Sequence, residues 1–479
     1  MRDSNMPATE KIFAVPRSDP GTIKRSELSA LIDDRPGERV FRVNRRVFTD
    51  PTIFDLEMKH IFEGGWVFLG LHSQIPQPHD FFTTNIGRVP VIVTRDGGGE
   101  FRVFVNSCPH KGARICQLQQ GNAKVHVCPY HSWSFDSAGR NKAIKGRAGG
   151  HYGDAFDQES HDLYALPRIG DYRGFLFGSL NADVPSLDDY LGEARRLLDL
   201  IVDQSASGLE LVPGAVTFTY EANWKLQLEN CSDQYHFSSV HPSYLKLLDR
   251  RAESQWMGTT RNMWDPNRRH DEAHGAATGG SYNLANGHVL NWRMPDAPDA
   301  LPLYEQKDAL AERVGEAKRD WMFFSRNLTI FPNVQFAENA SSQLRIIRPL
   351  SVDRTEMRTF CMAPIGESAE ARRLRIRQYE DFFNPSGLAT PDDAVVYEAC
   401  QEGYASSGSP WLQGYSRGIC GKVDGGNDFS RAIGLAPEQS ITGDRTLGDE
   451  TIFHAYYRAW RQRLADALPE DAPVREGVA

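Results

Sequence analysis

The sequence predicts an α+β protein, with a small antiparallel β domain set before a larger domain of mixed helices and strands. Three observations point to it. At 479 residues the chain exceeds what one ordinary core holds, so two or more domains are expected. Between Trp66 and about Leu180 the texture is short β-like runs parted by turn-prone segments. From about residue 184 helical periodicity returns, interleaved with further strands.

Residues 1–45 are polar and Pro-containing, which suits an arm that wraps another surface or stays mobile. Residues 51–63, PTIFDLEMKHIFE, place Ile53, Phe54, Leu56, Ile61 and Phe62 at helical spacing behind Pro51, a residue suited to a helix start. The β runs are WVFLGL, VPVIVTR, FRVFVN, KVHVC, SWSFD and GFLFGSL, with turns at DGGG (96–99) and DSAGR (136–140). Residues 185–204 read as an amphipathic helix, and 215–221, 327–336 and 342–348 as strands. Residues 367–383 and 391–401 read as helices about an NPSG turn, and 451–467 as an aromatic-rich closing helix. The stretch 255–300, rich in Gly, Asn, Asp and His, fits either a long loop over a site or an irregular insertion. The expected division is 1–64 as an arm and helix belonging to the larger domain, 65–183 as the β domain, and 184–479 as the rest of the larger domain.

A net charge of −9 argues against nucleic-acid binding. No apolar run approaches the roughly 20 residues that span a bilayer, and Met1–Glu10 lacks the apolar stretch of a signal peptide, so a cytoplasmic location is expected. The 7 cysteines are odd in number and thinly spread, which is poor for a disulfide framework.

Two of those cysteines carry the first chemical signal. Cys108-Pro-His110 and Cys128-Pro-Tyr-His131 form the pattern C-x-H-x17-C-x2-H, with each pair between predicted strands. Two thiolates on one iron and two imidazoles on the other are the ligand set of a Rieske [2Fe–2S] centre. Neutral imidazole lowers the negative charge of the cluster and makes it easier to reduce. Zinc is the alternative, but zinc fingers pair Cys with Cys and His with His, whereas this chain alternates them. Cys116 and His126 fit neither spacing and read as non-ligands, and the remaining cysteines read as reduced and structural.

The second signal is NWKLQLENCSDQYHFSSVHP, residues 223–242. Trp224, Leu228, Cys231 and Tyr235 are spaced for one apolar helix face, and Asn230, Asp233 and His236 for a polar one. Pro242 pushes His241 out of the α region, so the helix should end near Val240 and let His241 swing back toward His236. Two His with one carboxylate on one face of an iron leave positions open for O2 and substrate. An Asp beside a His also suits the outer support of a ligand imidazole.

CPHKGA…CPYHSW, NWKLQLENCSDQYHFSSVH and DFFNPSGLATPDD together resemble the large (α) subunits of aromatic-ring-hydroxylating Rieske dioxygenases, nearest the benzoate, anthranilate and halobenzoate branch, from about Phe41 to Leu464. The resemblance implies a helix-grip, START-like catalytic domain with a central antiparallel sheet. It places the cluster on Cys108, His110, Cys128 and His131, and a mononuclear Fe(II) on His236, His241 and Asp393. It makes Asp233 the bridge to His131 of the neighbouring subunit, so that electrons pass from His131 through Asp233 to His236. O2 is the co-substrate, and both of its atoms go to adjacent ring carbons. A small β subunit in an α3β3 assembly is expected, as is a reductase with or without a ferredoxin. Because the chain lacks a GxGxxG fingerprint, NADH should be used by that separate reductase.

Thr390-Pro-Asp-Asp393 also reads as a helix start, with Thr as N-cap, Pro first and an acid explained by capping, and Asp392 rivals Asp393 as the ligand. Two departures stand out: Lys111 where many members have Arg, and Ser132 where Gly is common, so that the backbone there need not be Gly-only. The alternatives are a Rieske monooxygenase of the salicylate-hydroxylase or aryloxyacetate type and, more remotely, a pure electron-transfer protein. An aromatic carboxylate would need a cationic or multiple-donor anchor that the sequence does not single out. The arginines at 371–377 read as solvated or paired.

Overall fold

The computed structural model describes residues 23–254, 263, 278–406, 408–443 and 448–471. They fall into two compact units, one of residues 58–187 and one joining 23–57 to 188–471. No helix among the described residues is long and apolar enough to cross a membrane.

The first unit is built from antiparallel strands. Phe101–Val105, Val89–Arg95, Asp80–Ile86 and Gln120–Asn122 form a four-stranded sheet in that order. Side chains alternate across a strand, and here both faces are buried. Phe82, Val91, Val93 and Val103 enter one core with Val67, Leu69 and Leu176. Phe81, Ile92 and Phe104 point the other way, into a core that contains Cys108, Cys128, Trp133 and Phe135. This explains why VPVIVTR is apolar without alternation. Two three-stranded sheets complete the unit: Asn141–Ala143 with Ser134–Asp136 and Val125–Val127, and Arg168–Tyr172 with Phe175–Ser179 and Val67–Leu71.

The second unit centres on a ten-stranded antiparallel sheet. From one edge it runs Leu209–Leu211, Arg354–Pro364, Ser342–Ser351, Val334–Glu338, Ser325–Ile330, Val289–Arg293, Gly279–Asn283, Gln439–Gly443 and Val423–Asp424, with Val216–Tyr220 also pairing Arg354–Pro364. Helices Trp224–Ser232, Ala369–Phe382, Thr390–Tyr404 and Phe453–Asp466 accompany it.

Several expectations need correction. The predicted strand 327–336 is a hairpin, Ser325–Ile330 and Val334–Glu338, turned at Phe331–Asn333, because Pro332 lacks the N–H a continuing ladder needs. The 185–204 helix is two, Leu187–Leu191 and Ala194–Val202, parted at Gly192 with φ +48°. Of the expected N-terminal arm, residues 1–22 lie outside the described residues, but Ile32–Arg35 and Val40–Asn44 form a hairpin extended by Trp411–Leu412. Its Phe41 is fully buried and stacks on His454. Part of the unassigned 255–300 stretch supplies the interior strands Gly279–Asn283 and Val289–Arg293, while 255–262 and 264–277 lie outside the described residues.

A buried ion pair ties the 51–57 helix to Trp224–Ser232. Lys225 Nζ lies 2.6 Å from Glu57 Oε1, with both side chains almost fully buried. The indoles of Trp224 and Trp460 donate to the same carboxylate at 2.8 and 2.6 Å. Burial pulls the Lys225 pKa down, against the pull of Glu57. Glu57→Ala would strand that ammonium, so a loss of about 3–5 kcal/mol is expected in urea unfolding monitored by circular dichroism.

Candidate metal centres

The two Cys–His segments share one hydrogen-bond frame. In the first, Gly112 N donates to Cys108 O at 2.8 Å and Cys108 N to Ala113 O at 2.9 Å. In the second, Ser132 N donates to Cys128 O at 3.0 Å and Cys128 N to Trp133 O at 2.8 Å. Each loop closes on a left-handed residue, Gly112 at φ +76° and Ser132 at φ +58°. Ser132 therefore holds a left-handed conformation that favours glycine at a local cost of about 1 kcal/mol: the position is not Gly-only, but its backbone keeps the glycine geometry. The histidine falls one slot later in the second loop than in the first.

Both thiols are buried, while the His110 and His131 rings are half-buried with centroids 4.4 Å apart. Trp133 stacks on His110 at 4.9 Å and Tyr130 leans on His131 at 3.8 Å. The Nδ1 atoms of His110 and His131 are buried and have no hydrogen-bond partner among the described residues. Burial, together with the adjacent Cys128, raises the Cys108 thiol to about 11, so taking up a metal would release protons. Two thiols and two unpartnered imidazole nitrogens in one buried spot fit a Rieske cluster. Cys116 and His126 sit apart from this arrangement: Cys116 Sγ faces Leu118 O at 3.6 Å and His126 lies edge-on to Phe81. All seven cysteines are free, and the structural reading fails for Cys420, which is exposed.

The second centre does not lie on the unbroken helix the spacing suggested. Asn223 caps Trp224–Ser232 by accepting from Lys225 N at 3.1 Å, and the helix stops where Asp233 turns extended at φ −94°, ψ 125°. Asp233 Oδ1 accepts from Tyr235 N at 2.5 Å, a local side-chain turn that competes with helix. Tyr235 is exposed rather than part of the apolar face. A short helix, Phe237–Val240, leads to His241 at φ −111°, ψ 33°, outside the α region as Pro242 requires, and Pro242 opens the next helix, Pro242–Ser254.

This broken path brings His236 and His241 together with Asp393 from the helix Thr390–Tyr404. One ligand atom from each of the three lies within 4.8 Å of the others. Asp393 Oδ1 is 3.2 Å from His241 Nε2 and 3.6 Å from His236 Nε2, and accepts from Asn230 Nδ2 at 3.0 Å. Asp392 instead is more exposed, with Oδ2 3.7 Å from His241 Nδ1. The capping explanation for Asp393 lapses, because this helix starts without a side-chain cap and its N-cap position is Ala389. Asp233 Oδ2 lies 3.1 Å from His236 Nδ1. Burial works against a charged His236, yet Asp233 and then Asp393 raise its pKa, with Arg345 opposing. Two imidazoles and one carboxylate, gathered on one side and open to a cleft, fit a mononuclear iron with free positions.

Sequence reasoning missed Arg345, Asn291 and Asn327, which line the same cleft from the sheet. The one available signal was a charged residue inside the otherwise apolar strand run LRII. Of the helix arginines, Arg372, Arg375 and Arg377 are paired with Glu210, Glu367 and Asp381.

A β domain carrying a Rieske ligand set and a sheet domain carrying two His and an Asp define a Rieske-type non-haem iron oxygenase. Residues 65–150 match the Rieske [2Fe–2S] domain, and residues 203–466 match the ring hydroxylating alpha subunit catalytic domain. The toluate 1,2-dioxygenase α subunit of Pseudomonas putida is 43% identical over 93% of this chain and 95% of its own. The anthranilate 1,2-dioxygenase large subunit of Acinetobacter baylyi is 40% identical over 93% and 94%. A crystal structure of naphthalene 1,2-dioxygenase superposes with a TM-score of 0.76 at 24% identity, over 91% of this chain and 94% of that one, which shows the common fold. The chain belongs to the ring-hydroxylating α subunit family of Rieske-type dioxygenases, and is the α subunit of a multicomponent oxygenase.

Proposed function

We propose that this α subunit dihydroxylates the ring of an aromatic carboxylic acid, the observation that carries the reading being the His236–His241–Asp393 group at the cleft. The toluate and anthranilate enzymes named above act on such acids, which supports the substrate class. Cys108 and Cys128 would hold one cluster iron and His110 and His131 the other, while His236, His241 and Asp393 would hold the mononuclear iron. When bound, these groups supply single electrons and the binding and activation of O2.

The chain's own residues set the geometry. Asn230 holds the Asp393 carboxylate by its 3.0 Å bond. Asp233 faces His236 with one oxygen and shapes the turn with the other, and would link His236 to His131 of the partner subunit. That linkage requires more than one α chain, in keeping with an α3β3 assembly with a small β subunit. A separate NADH-dependent reductase, with or without a ferredoxin, would feed the cluster, in the cytoplasm, as part of aromatic catabolism.

The test is turnover of the assembled enzyme with reductase under 18O2, across benzoate, toluates, anthranilate, halobenzoates, salicylate and neutral arenes. A cis-dihydrodiol or catechol from an acid, with both new oxygens labelled, is expected. One labelled oxygen would mean a monooxygenase, and turnover confined to neutral arenes would refute the acid assignment.

A further inference from the structure

The relatives' names fix where an acid substrate must be held. In a 1,2-dioxygenation of a benzoate, carbon 1 bears the carboxylate and is itself attacked. The carboxylate must therefore lie beside the iron ligands, and its anchor must share their cleft.

Arg345 meets that requirement. It lies on the strand Ser342–Ser351, in register with Gln335 on one side and Thr359 on the other. Gln335 Nε2 donates to Gln227 O at 3.2 Å, so this face of the sheet packs under the helix Trp224–Ser232 that leads to Asp233 and His236. Arg345 lines the cleft together with His236, His241 and Asp393. Its Nε donates to Gln343 Oε1 at 2.5 Å, and its guanidinium carbon sits 5.5 Å from the centre of the Phe383 ring. These contacts, with the approach of the guanidinium to the Cys231 thiol, hold the fork in place and leave it facing no carboxylate partner among the described residues. Arg326, Arg348, Arg372, Arg375 and Arg377 lie 2.5–3.2 Å from a carboxylate, while Arg293, at the end of Val289–Arg293, is the other arginine lining the cleft. Arg345 has no such ion pair among the described residues. A half-buried, pre-oriented guanidinium without a counter-ion suits bidentate binding of a carboxylate.

We propose that Arg345 anchors the substrate carboxylate and so places ring carbons 1 and 2 at the His236–His241–Asp393 centre. This rests on the aromatic-acid reading of the site. It assigns specificity for acids over neutral arenes to one side chain on the sheet.

The test is anaerobic binding of benzoate and of its neutral analogue benzamide to the metal-loaded enzyme, by calorimetry, for wild type, R345Q and R345K. Cluster absorbance and iron content serve as controls for folding. R345Q should weaken benzoate binding about 10- to 100-fold and leave benzamide binding unchanged, and in aerobic turnover with the reductase KM should rise more than kcat falls. R345K should recover part of the loss, since it keeps the charge without the fork. Unchanged benzoate affinity in R345Q, or an equal loss for benzamide, would overturn the anchor while leaving the acid reading in place. A wild-type enzyme that binds neutral arenes but no aromatic acid would refute the acid reading, and the anchor with it.

Discussion

Replacing Asp393 with alanine should empty the mononuclear site and lower turnover by about 1,000-fold or more, since an iron contributes several kcal/mol to the barrier it lowers. The cluster should survive, because Cys108, His110, Cys128 and His131, which would hold it, lie in the other unit. Asp392→Ala is the matched control. That residue is more exposed and its oxygen is 3.7 Å from the far nitrogen of His241, so a loss under about 10-fold is expected. Iron content, cluster absorbance and coupled O2 uptake separate the two variants. If D392A lost the iron and D393A kept it, the ligand assignment would have to be reversed.

Asp233→Asn carries the second large effect. The carboxylate does two things at once: Oδ1 accepts from Tyr235 N and bends the chain, while Oδ2 faces His236 Nδ1. Asparagine can still accept the turn bond, so the substitution preserves the bend and removes the charge. Both metals should remain bound, and cluster reoxidation in a single turnover should slow about 100-fold. Stopped-flow absorbance at the cluster band reads this directly. Reoxidation at the wild-type rate would remove Asp233 from the electron path, and loss of iron would make it a positioning residue for His236.

The features most legible in the sequence were those whose parts are close along the chain. The Cys–His loops and the His236–His241 pair are each contained in a few residues, so spacing alone locates them. Asp393 is far away in sequence and sits where a helix-start acid would be unremarkable. Only the fold turns its oxygen onto the two imidazoles. Regular periodicity misled at Asp233, where a side-chain turn outweighs the helical spacing of Asn230, Asp233 and His236. Composition misled at 279–293. Gly279 and Gly280 read as loop, but a Cβ at Gly280 would come within 2.2 Å of Ile441 O and one at Gly279 within 3.0 Å of Trp292 O. These glycines are there because neighbouring strands approach closely. Arg345 was overlooked because a cation in a strand acquires meaning only from what the sheet faces.

The staggered histidines of the two loops carry one more consequence. Each tip presents one thiol and one imidazole, so were the thiols to hold one iron and the imidazoles the other, neither tip could satisfy either metal alone. Half a folded β unit offers half of two sites and the whole of none. Cluster insertion on these ligands would thereby act as a logical conjunction. It would report that both loops have arrived, and a chain misfolded at either one would stay colourless.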